Sequence, residues 1–499
     1  MRIKIGSRAS DLARIQAYTV GKLLEQKGHQ VEYNFRESLG DLNPQIDLSK
    51  TFEKGVFTQD FHQGLVDGTY DLVVHSWKDL PTEERPGTKV VATLPREDMR
   101  DVLLLKDGDL SKLKNIQIFS SSPRRAYNLK TFLAWALPQP IGEIEFVNVR
   151  GNVPTRLRKL KETEEVQGLI VAKAALDRML GCNIEEFKSM KSQMRDSVNG
   201  VRWMVLPLQI NPCAAAQGAL ALEIAEGKPE VQKAIEALNC EITWNSVREE
   251  REILKGFGGG CHQKIGVSVL ERPFGKILFL QGLTDSGEVL NKFELSRKSQ
   301  KHLKASASQV YPSPGEKLES FASQELKINA NEFKGKDLWI AKAKALPEDF
   351  MPAKESVIWT AGLESWRKLS ARGVWVNGCA ESLGEQENES VEHLLGRSAN
   401  WLKLTHDRGV ASEGKDFYAT YRLKGDFKIP KLEARKYFYW QSGSQFLQVW
   451  ENNQALLNDA HHACGPGHTY SVIKSLLKDK SRLEVYLSVK DWWRSLGVK

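Results

Sequence analysis

The chain of 499 residues has no run of about 18 apolar residues, which excludes a membrane-spanning helix of ordinary length. Its opening residues, MRIKIGSRAS, pass straight into a strand pattern without the apolar stretch of a secretory signal, so a cytoplasmic protein with no membrane partner is expected. There is no CxxC pair. The six cysteines, Cys182, Cys213, Cys240, Cys261, Cys379 and Cys464, are scattered, which suits reduced thiols and argues against a disulfide framework. Low-complexity tracts and strict short-period repeats are also missing, which excludes a solenoid. The net charge of +8 is not gathered into one block, so a nucleic-acid partner would rest on charge alone and is not expected. What remains is a globular composition, 41% hydrophobic and 27% charged, and a length that suggests roughly three or four domains.

Short apolar strands alternate with amphipathic helices through about residue 225. RIKIGS (2–7), VEYNFRES (31–38), YDLVVHS (70–76), IQIFSSS (116–122) and IEFVNVR (144–150) read as strands. Residues 11–28, 57–68 and 153–162 read as helices, and 168–180 as a strand passing into a helix. Such alternation indicates open α/β sheets, where ligands sit at the carboxyl ends of strands. Basic and polar residues fall at those ends: Arg8, Ser76 to Asp79, Ser120 to Arg125, and Arg150. Scattered loop arginines that converge in space suit carboxylates, because a planar guanidinium pairs with them bidentately. Any one of them, taken singly, reads first as a solvated surface charge. Residues 231–305 read differently, as two helices followed by three alternating strands, a small α+β domain. Residues 306–335, rich in Ser, Pro, Glu, Lys and Asn, read as a linker. A further α/β region follows.

The stretch KGFGGGCHQKIGVSV (255–269) poses a specific question. Three glycines lead into Cys261, and glycine leaves room for another group to approach closely. A core cysteine does not need that room. The spur is either a glycine-rich hairpin or a cysteine presented for covalent chemistry.

Several motifs, in order, decide the matter: GSRASDLARIQA (6–17), VHSWKDLPTE (74–83), EDMRDVLL (97–104), SSSPRRA (120–126), VRGNVPTRLRKL (149–160), QGALALE (217–223) and GGGCHQKIGV (258–267). On these, residues 1–305 resemble the porphobilinogen deaminase (hydroxymethylbilane synthase) family. The resemblance implies an α/β fold of two periplasmic-binding-protein-like open-sheet lobes plus a small α+β domain that carries the cofactor cysteine. The expected boundaries are 1–96 with 197–222, 97–196, and 223–305. It implies a cytoplasmic monomer that condenses four porphobilinogen molecules head to tail, with loss of ammonia, into a linear tetrapyrrole. The implied cofactor is a dipyrromethane held covalently by Cys261. Asp79 matches the catalytic aspartate, which from the sequence alone reads as a turn cap or a partner of Lys78. The cofactor-binding positions are Lys78, Ser76, Ser122, Arg124, Arg125, Gly151 and Asn152. The substrate-binding positions are Arg8, Ser10, Gln16, Arg150, Arg156 and Arg178. No metal is implied. The sequence departs from the family pattern at Phe52 and Glu53 before Lys54, and at Phe119, Pro123 and Ala216.

Within 336–499, VIWTAGLESWRKLSARGVWVNGCAESLG (357–384), YFYWQSGSQFL (437–447) and ACGPGHTYSVIKSL (463–476) are similar to uroporphyrinogen-III synthase-like sequences. The resemblance implies cyclisation of the linear product, so a bifunctional chain is expected. Candidate contacts are Thr360, Ser442, Ser444, Gly465, His468 and Thr469, with Tyr418 and Tyr421 as proton donors. The alternatives are a deaminase with a non-catalytic C-terminal domain, and a two-lobed anion-binding protein without chemistry. The run HHACGPGH fits no standard zinc spacing, and Trp366, Trp375 and Trp440 are expected in the core.

Overall fold

Exposed and buried positions alternate from Arg2 to Ile5, and Ile5, Gly6 and Ser7 are all buried, where the first strand, Arg2–Arg8 (β1), lies between its parallel neighbours Gln30–Arg36 (β2) and Leu72–Ser76 (β3). The structure is a computed structural model and describes residues 1–37, 58–108, 115–139, 141–259, 263–297, 304–316, 321–409, 411–412 and 414–498. The 50–57 loop and Cys261 lie outside the described residues. Strand Thr88–Ala92 (β4) and strand Leu220–Ala225 (β10) complete the first sheet, in the order β2-β1-β3-β10-β4, with β10 antiparallel to both neighbours. Its core is aliphatic: Ile3, Ile5, Val20, Leu24, Leu72 and Ile224 are all buried.

The second sheet repeats the plan. Strands Asp101–Lys106 (β5), Asn115–Phe119 (β6), Glu143–Val147 (β7), Val166–Ala172 (β8) and Val201–Leu206 (β9) run in the order β7-β6-β8-β5-β9. The chain crosses between the two sheets twice, after β4 and after β9. The 197–222 segment is therefore split, contrary to the expected boundary: β9 belongs to the second sheet and only β10 returns to the first. A small third unit follows. Helix Glu241–Gly256 packs on the antiparallel meander Gly266–Arg272 (β11), Gly275–Leu283 (β12) and Val289–Arg297 (β13).

Residues 306–335 are not the plain linker that their composition suggests. They contain strand Val310–Tyr311 (β14) and strand Ala322–Glu325 (β15), each an edge of a further sheet. One sheet has six strands, β15-β20-β19-β16-β17-β18, built from Asp337–Ile340 (β16), Ile358–Thr360 (β17), Gly378–Cys379 (β18), Trp401–His406 (β19) and Asp416–Lys424 (β20). The other is all parallel, β14-β21-β22-β23, with Tyr437–Trp440 (β21), His461–Cys464 (β22) and Leu483–Val485 (β23). The C-terminal region thus has two open sheets, and the chain starts in one, builds the other, and returns.

These units share their cores. Trp366 is fully buried against Phe132, with ring centroids 5.3 Å apart, and its indole N–H donates to the Ala136 carbonyl at 3.3 Å. The edge strand β9 is covered from the C-terminal region, where the Val205 N–H donates to the Asn377 carbonyl at 2.7 Å. Covering an edge this way removes an aggregation-prone template. Trp440 is buried as expected, and Trp375 is half-buried and donates to the Trp203 carbonyl at 3.1 Å. Among the described residues no helix is long and apolar enough to cross a membrane.

Candidate active site

The carboxyl end of β3 turns sharply through a short 3-10 helix, Trp77–Asp79. Trp77 anchors this turn by burying its ring against Trp244, 5.3 Å away. Arg251, on the helix Glu241–Gly256 of the third unit, donates to the backbone carbonyls of Trp77 at 3.4 Å and Leu80 at 3.2 Å, and also to that of Pro81. Three carbonyls on one guanidinium fix the turn, while the Asp79 side chain stays exposed to the space between the lobes.

Beside it, Ser76 Oγ exchanges hydrogen bonds with the buried Gln16 amide at 3.1 and 3.2 Å. Arg8, Ser10, Gln16, Ser76 and Asp79 line one small cavity of about 80 Å³. Lys78 Nζ donates to Gln217 Oε1 at 3.2 Å. Burial lowers the Lys78 pKa; Asp79 and Asp101 oppose the shift, and Arg125 and Arg124 add to it.

The second lobe presents two helix starts to the same space. Ser122 caps helix Pro123–Ala136, its Oγ accepting the Arg125 N–H at 3.5 Å. Pro123, a departure from the family pattern, sits at the first helical turn, where its missing N–H would have had no partner. Asn152 caps helix Val153–Glu162, its Oδ1 accepting the Thr155 N–H at 3.0 Å. Gly151 precedes it at φ +113°, and a Cβ there would lie 2.7 Å from Thr155 Cγ2. Arg156 Nε donates to the Gly151 carbonyl at 2.7 Å. Burial and the nearby Arg125 lower the Arg156 pKa, while Asp79 acts to raise it. Asp79 and Arg156, from different lobes, therefore feel one another across the cleft.

Arg124 and Arg125 converge on a residue to which the sequence reading gave no role, Asp101. Its buried carboxylate accepts Arg124 Nη2 at 2.9 Å, Arg125 Nε at 3.0 Å and Nη2 at 2.6 Å, Asn211 Nδ2 at 2.9 Å and Gln217 Nε2 at 2.8 Å. Burial pushes the Asp101 carboxyl up, but Arg125 and Arg124 overcome it and hold the group well below the usual range. The signal was an acid at the head of the apolar run DVLLL, which must be paired if the strand is buried. Arg178 Nη2 donates to the Gly218 carbonyl at 2.7 Å, bracing the return crossover rather than lying beside the cap residues. Arg150 is exposed.

Cys261 is outside the described residues, but the backbone as far as Gly259 is described. Gly258 and Gly259 have φ of +93° and +63°, and a Cβ on Gly259 would lie 2.6 Å from Thr82 Oγ1. The spur thus runs against the segment that follows Asp79. A second departure also has a conformational meaning: buried Ala216 sits at φ +66°, where glycine is preferred.

In the C-terminal region, Thr360 ends β17 and donates to the Gly362 carbonyl at 3.1 Å. Ser442 caps the helix Gly443–Asp459, and Ser444 is in its first turn. Gly465, His468 and Thr469 follow β22, with His468 Nδ1 3.4 Å from Glu385. Tyr418 accepts the Asn329 N–H at 3.2 Å, and Tyr421 is buried in the core, which pushes its hydroxyl up to about 12. Neither tyrosine lines a described cavity with the other candidates. His462 has a structural place, accepting the Trp440 indole N–H at 3.0 Å and lying 2.7 Å from the Leu457 carbonyl.

Comparison with known proteins bears on this geometry. A family model described as "Porphobilinogen deaminase, dipyromethane cofactor binding domain" matches residues 3–233. A porphobilinogen deaminase of Syntrophomonas wolfei is 35% identical over 295 residues, covering 58% of this chain and 87% of its own. Those of Clostridioides difficile and Desulfitobacterium hafniense are 31% and 32% identical, covering 52% and 63% of this chain and 80% and 94% of their own. Among solved structures, the methionine binding protein MetQ covers 52% of this chain and 96% of its own at 12% identity, with a TM-score of 0.28.

Proposed function

The chain belongs to the porphobilinogen deaminase family, and on that premise we propose how its residues divide the reaction and what the C-terminal region adds. It is a hydroxymethylbilane synthase whose amino-terminal part binds a dipyrromethane. That group, when bound, supplies the pyrrole end to which each porphobilinogen is added.

Cys261 holds the dipyrromethane by a thioether. One observation carries this reading: the glycine spur two residues before the thiol packs against Thr82, three residues beyond Asp79. The cleft also fits a group that bears carboxylates. Lys78 and Arg156 are cations in a desolvated space, and neither has a carboxylate within hydrogen-bonding distance among the described residues. Lys78, with the Gly151 and Asn152 turn and Ser76 and Ser122, holds the acid side chains of the dipyrromethane. Arg124 and Arg125 supply positive charge to the cleft wall, while their Nη1 groups are held by Asn211 and the Pro212 carbonyl and by the Ile170 carbonyl. Arg8, Ser10, Gln16, Arg150, Arg156 and Arg178 bind the acid side chains of the incoming substrate.

Asp79 stabilises the positive charge left on porphobilinogen as ammonia departs, and it orients the pyrrole N–H groups. A fixed anion placed where positive charge develops stabilises the transition state without reorganising at the moment of reaction. Asp79→Asn keeps the shape and removes the charge. The expected result is a fall in kcat of about 100- to 10,000-fold with the dipyrromethane still attached. A fall of less than threefold would remove Asp79 from the chemistry.

Residues 306–498 cyclise the linear product to uroporphyrinogen III. In support, the loops at the carboxyl ends of β18 and β22, one from each C-terminal sheet, meet at Gly384 and Gly467. A Cβ on Gly384 would lie 2.5 Å from the Gly467 Cα. Open sheets bind ligands at such ends. Full-length protein is incubated with porphobilinogen, and the oxidised products are separated by isomer. Isomer III in excess is expected. Isomer I alone would leave the region as a domain without that activity.

A further inference from the structure

A cavity of about 990 Å³ lies where the deaminase lobes, their third unit and both C-terminal sheets come together. That is the upper end of the range of about 300–1,000 Å³ found for small-molecule sites. Its walls come from residues 96–100 of the crossover, 272–274 of the β11–β12 turn, the 379–390 segment and the helix that starts after Gly467. The deaminase turn is joined to the C-terminal wall in two ways. Arg272 Nε donates to Glu387 at 2.7 Å, and the Phe274 ring stands edge-on to Tyr470 with centroids 6.5 Å apart.

The chemistry of the walls favours flat rings with acidic arms. Phe274 and Tyr470 supply aromatic faces. Lys474 stands 5.3 Å from the Tyr470 ring centroid, and Lys480 is exposed at the rim; neither makes an ion pair among the described residues. The carboxylates that face the cavity are mostly compensated. Asp98 is held by Arg100 at 2.6 Å, and Glu387 by Arg272. Glu381 is buried, which pushes its carboxyl up to about 7, and it accepts the Gln209 N–H of the deaminase at 2.7 Å.

We infer that this junction cavity seats the linear tetrapyrrole carboxylate, and that the deaminase turn at Arg272–Phe274 forms one wall of it, so the second site is complete only in the joined chain. This rests on the reading that the C-terminal region acts on the deaminase product. Each ring of that product carries two carboxylates. The lysines at the rim engage those arms, and the aromatic pair covers the rings.

Three full-length proteins test it: wild type, Phe274→Ala and Lys474→Glu/Lys480→Glu. Uroporphyrin III serves as the probe, with binding read from quenching of tryptophan emission, to which Trp359 in the wall contributes. The share of isomer III per porphobilinogen consumed is measured in parallel. Both variants are expected to weaken uroporphyrin binding at least tenfold and to lower the isomer III share. The lysine pair is exposed, so its loss of binding does not report misfolding. Unchanged binding in Phe274→Ala would overturn the shared wall, and wild type that does not bind uroporphyrin III would overturn the site. Wild type that makes only isomer I, yet binds the probe and loses it in both variants, would sink the cyclisation reading and leave the cavity standing.

Discussion

Replacing Asp101 by Asn changes almost no volume and removes one charge from the centre of the cleft wall. The wild-type cluster holds two guanidinium groups, Arg124 and Arg125, and one carboxylate, a net charge of +1 in a buried setting. The variant leaves +2, with Lys78 adding to the repulsion. Five donors point at the carboxylate oxygens, and an amide can accept at only one end, so its NH₂ group faces donors. Removing one partner of a buried ion pair costs about 3–5 kcal/mol, and that loss is expected in urea denaturation at pH 7. The dependence on pH has a definite sign. The folded Asp101 pKa lies below its unfolded value, so its contribution is complete above the unfolded pKa of about 3.9 and is lost as pH falls toward the folded one. The gap between wild type and variant is therefore flat from about pH 6 to 8 and narrows below about pH 4. A loss under about 1 kcal/mol, or a gap that widens in acid, would refute the reasoning.

Two further outcomes follow from other parts of the fold. Trp366→Ala empties a fully buried site between the deaminase lobe and the C-terminal region, and should cost about 3–5 kcal/mol in chemical denaturation. A loss below about 1 kcal/mol would mean that the two units do not share a core. Gly151→Ala puts a Cβ against Thr155 at a left-handed φ, which costs about 1–2 kcal/mol. Because Arg156 is tied to the Gly151 carbonyl, the KM for porphobilinogen should rise more than kcat falls. An unchanged KM would take this turn out of the site.

Local signals made the sheets and the cleft legible in the sequence. Helix 153–162 is found with the expected bounds because the Asn152 cap and the proline at its start are local features. Ala216 stood out as an unusual residue before Gln217, and its left-handed φ gives the reason. The strands in 306–335 were missed because they are short and polar and form only as edges of sheets made elsewhere. The apolar run of β9 announces a strand but not which of two sheets it joins. Asp101 was quoted within a motif yet given no role, since its partners come from residues 124, 125, 211 and 217. The junction cavity draws on residues from 96 to 480, a separation that no local pattern carries. Tyr418 and Tyr421 read as proton donors because tyrosine can be one; packing put Tyr421 in the core instead.

The central claim is that Cys261 carries a dipyrromethane beside Asp79. Denaturing mass spectrometry of the purified full chain, with peptide mapping across 255–269, tests it directly. The account predicts a covalent two-pyrrole adduct on the peptide containing Cys261 and no adduct on Cys182, Cys213, Cys240, Cys379 or Cys464. An unmodified Cys261 thiol that persists after incubation with porphobilinogen would contradict it.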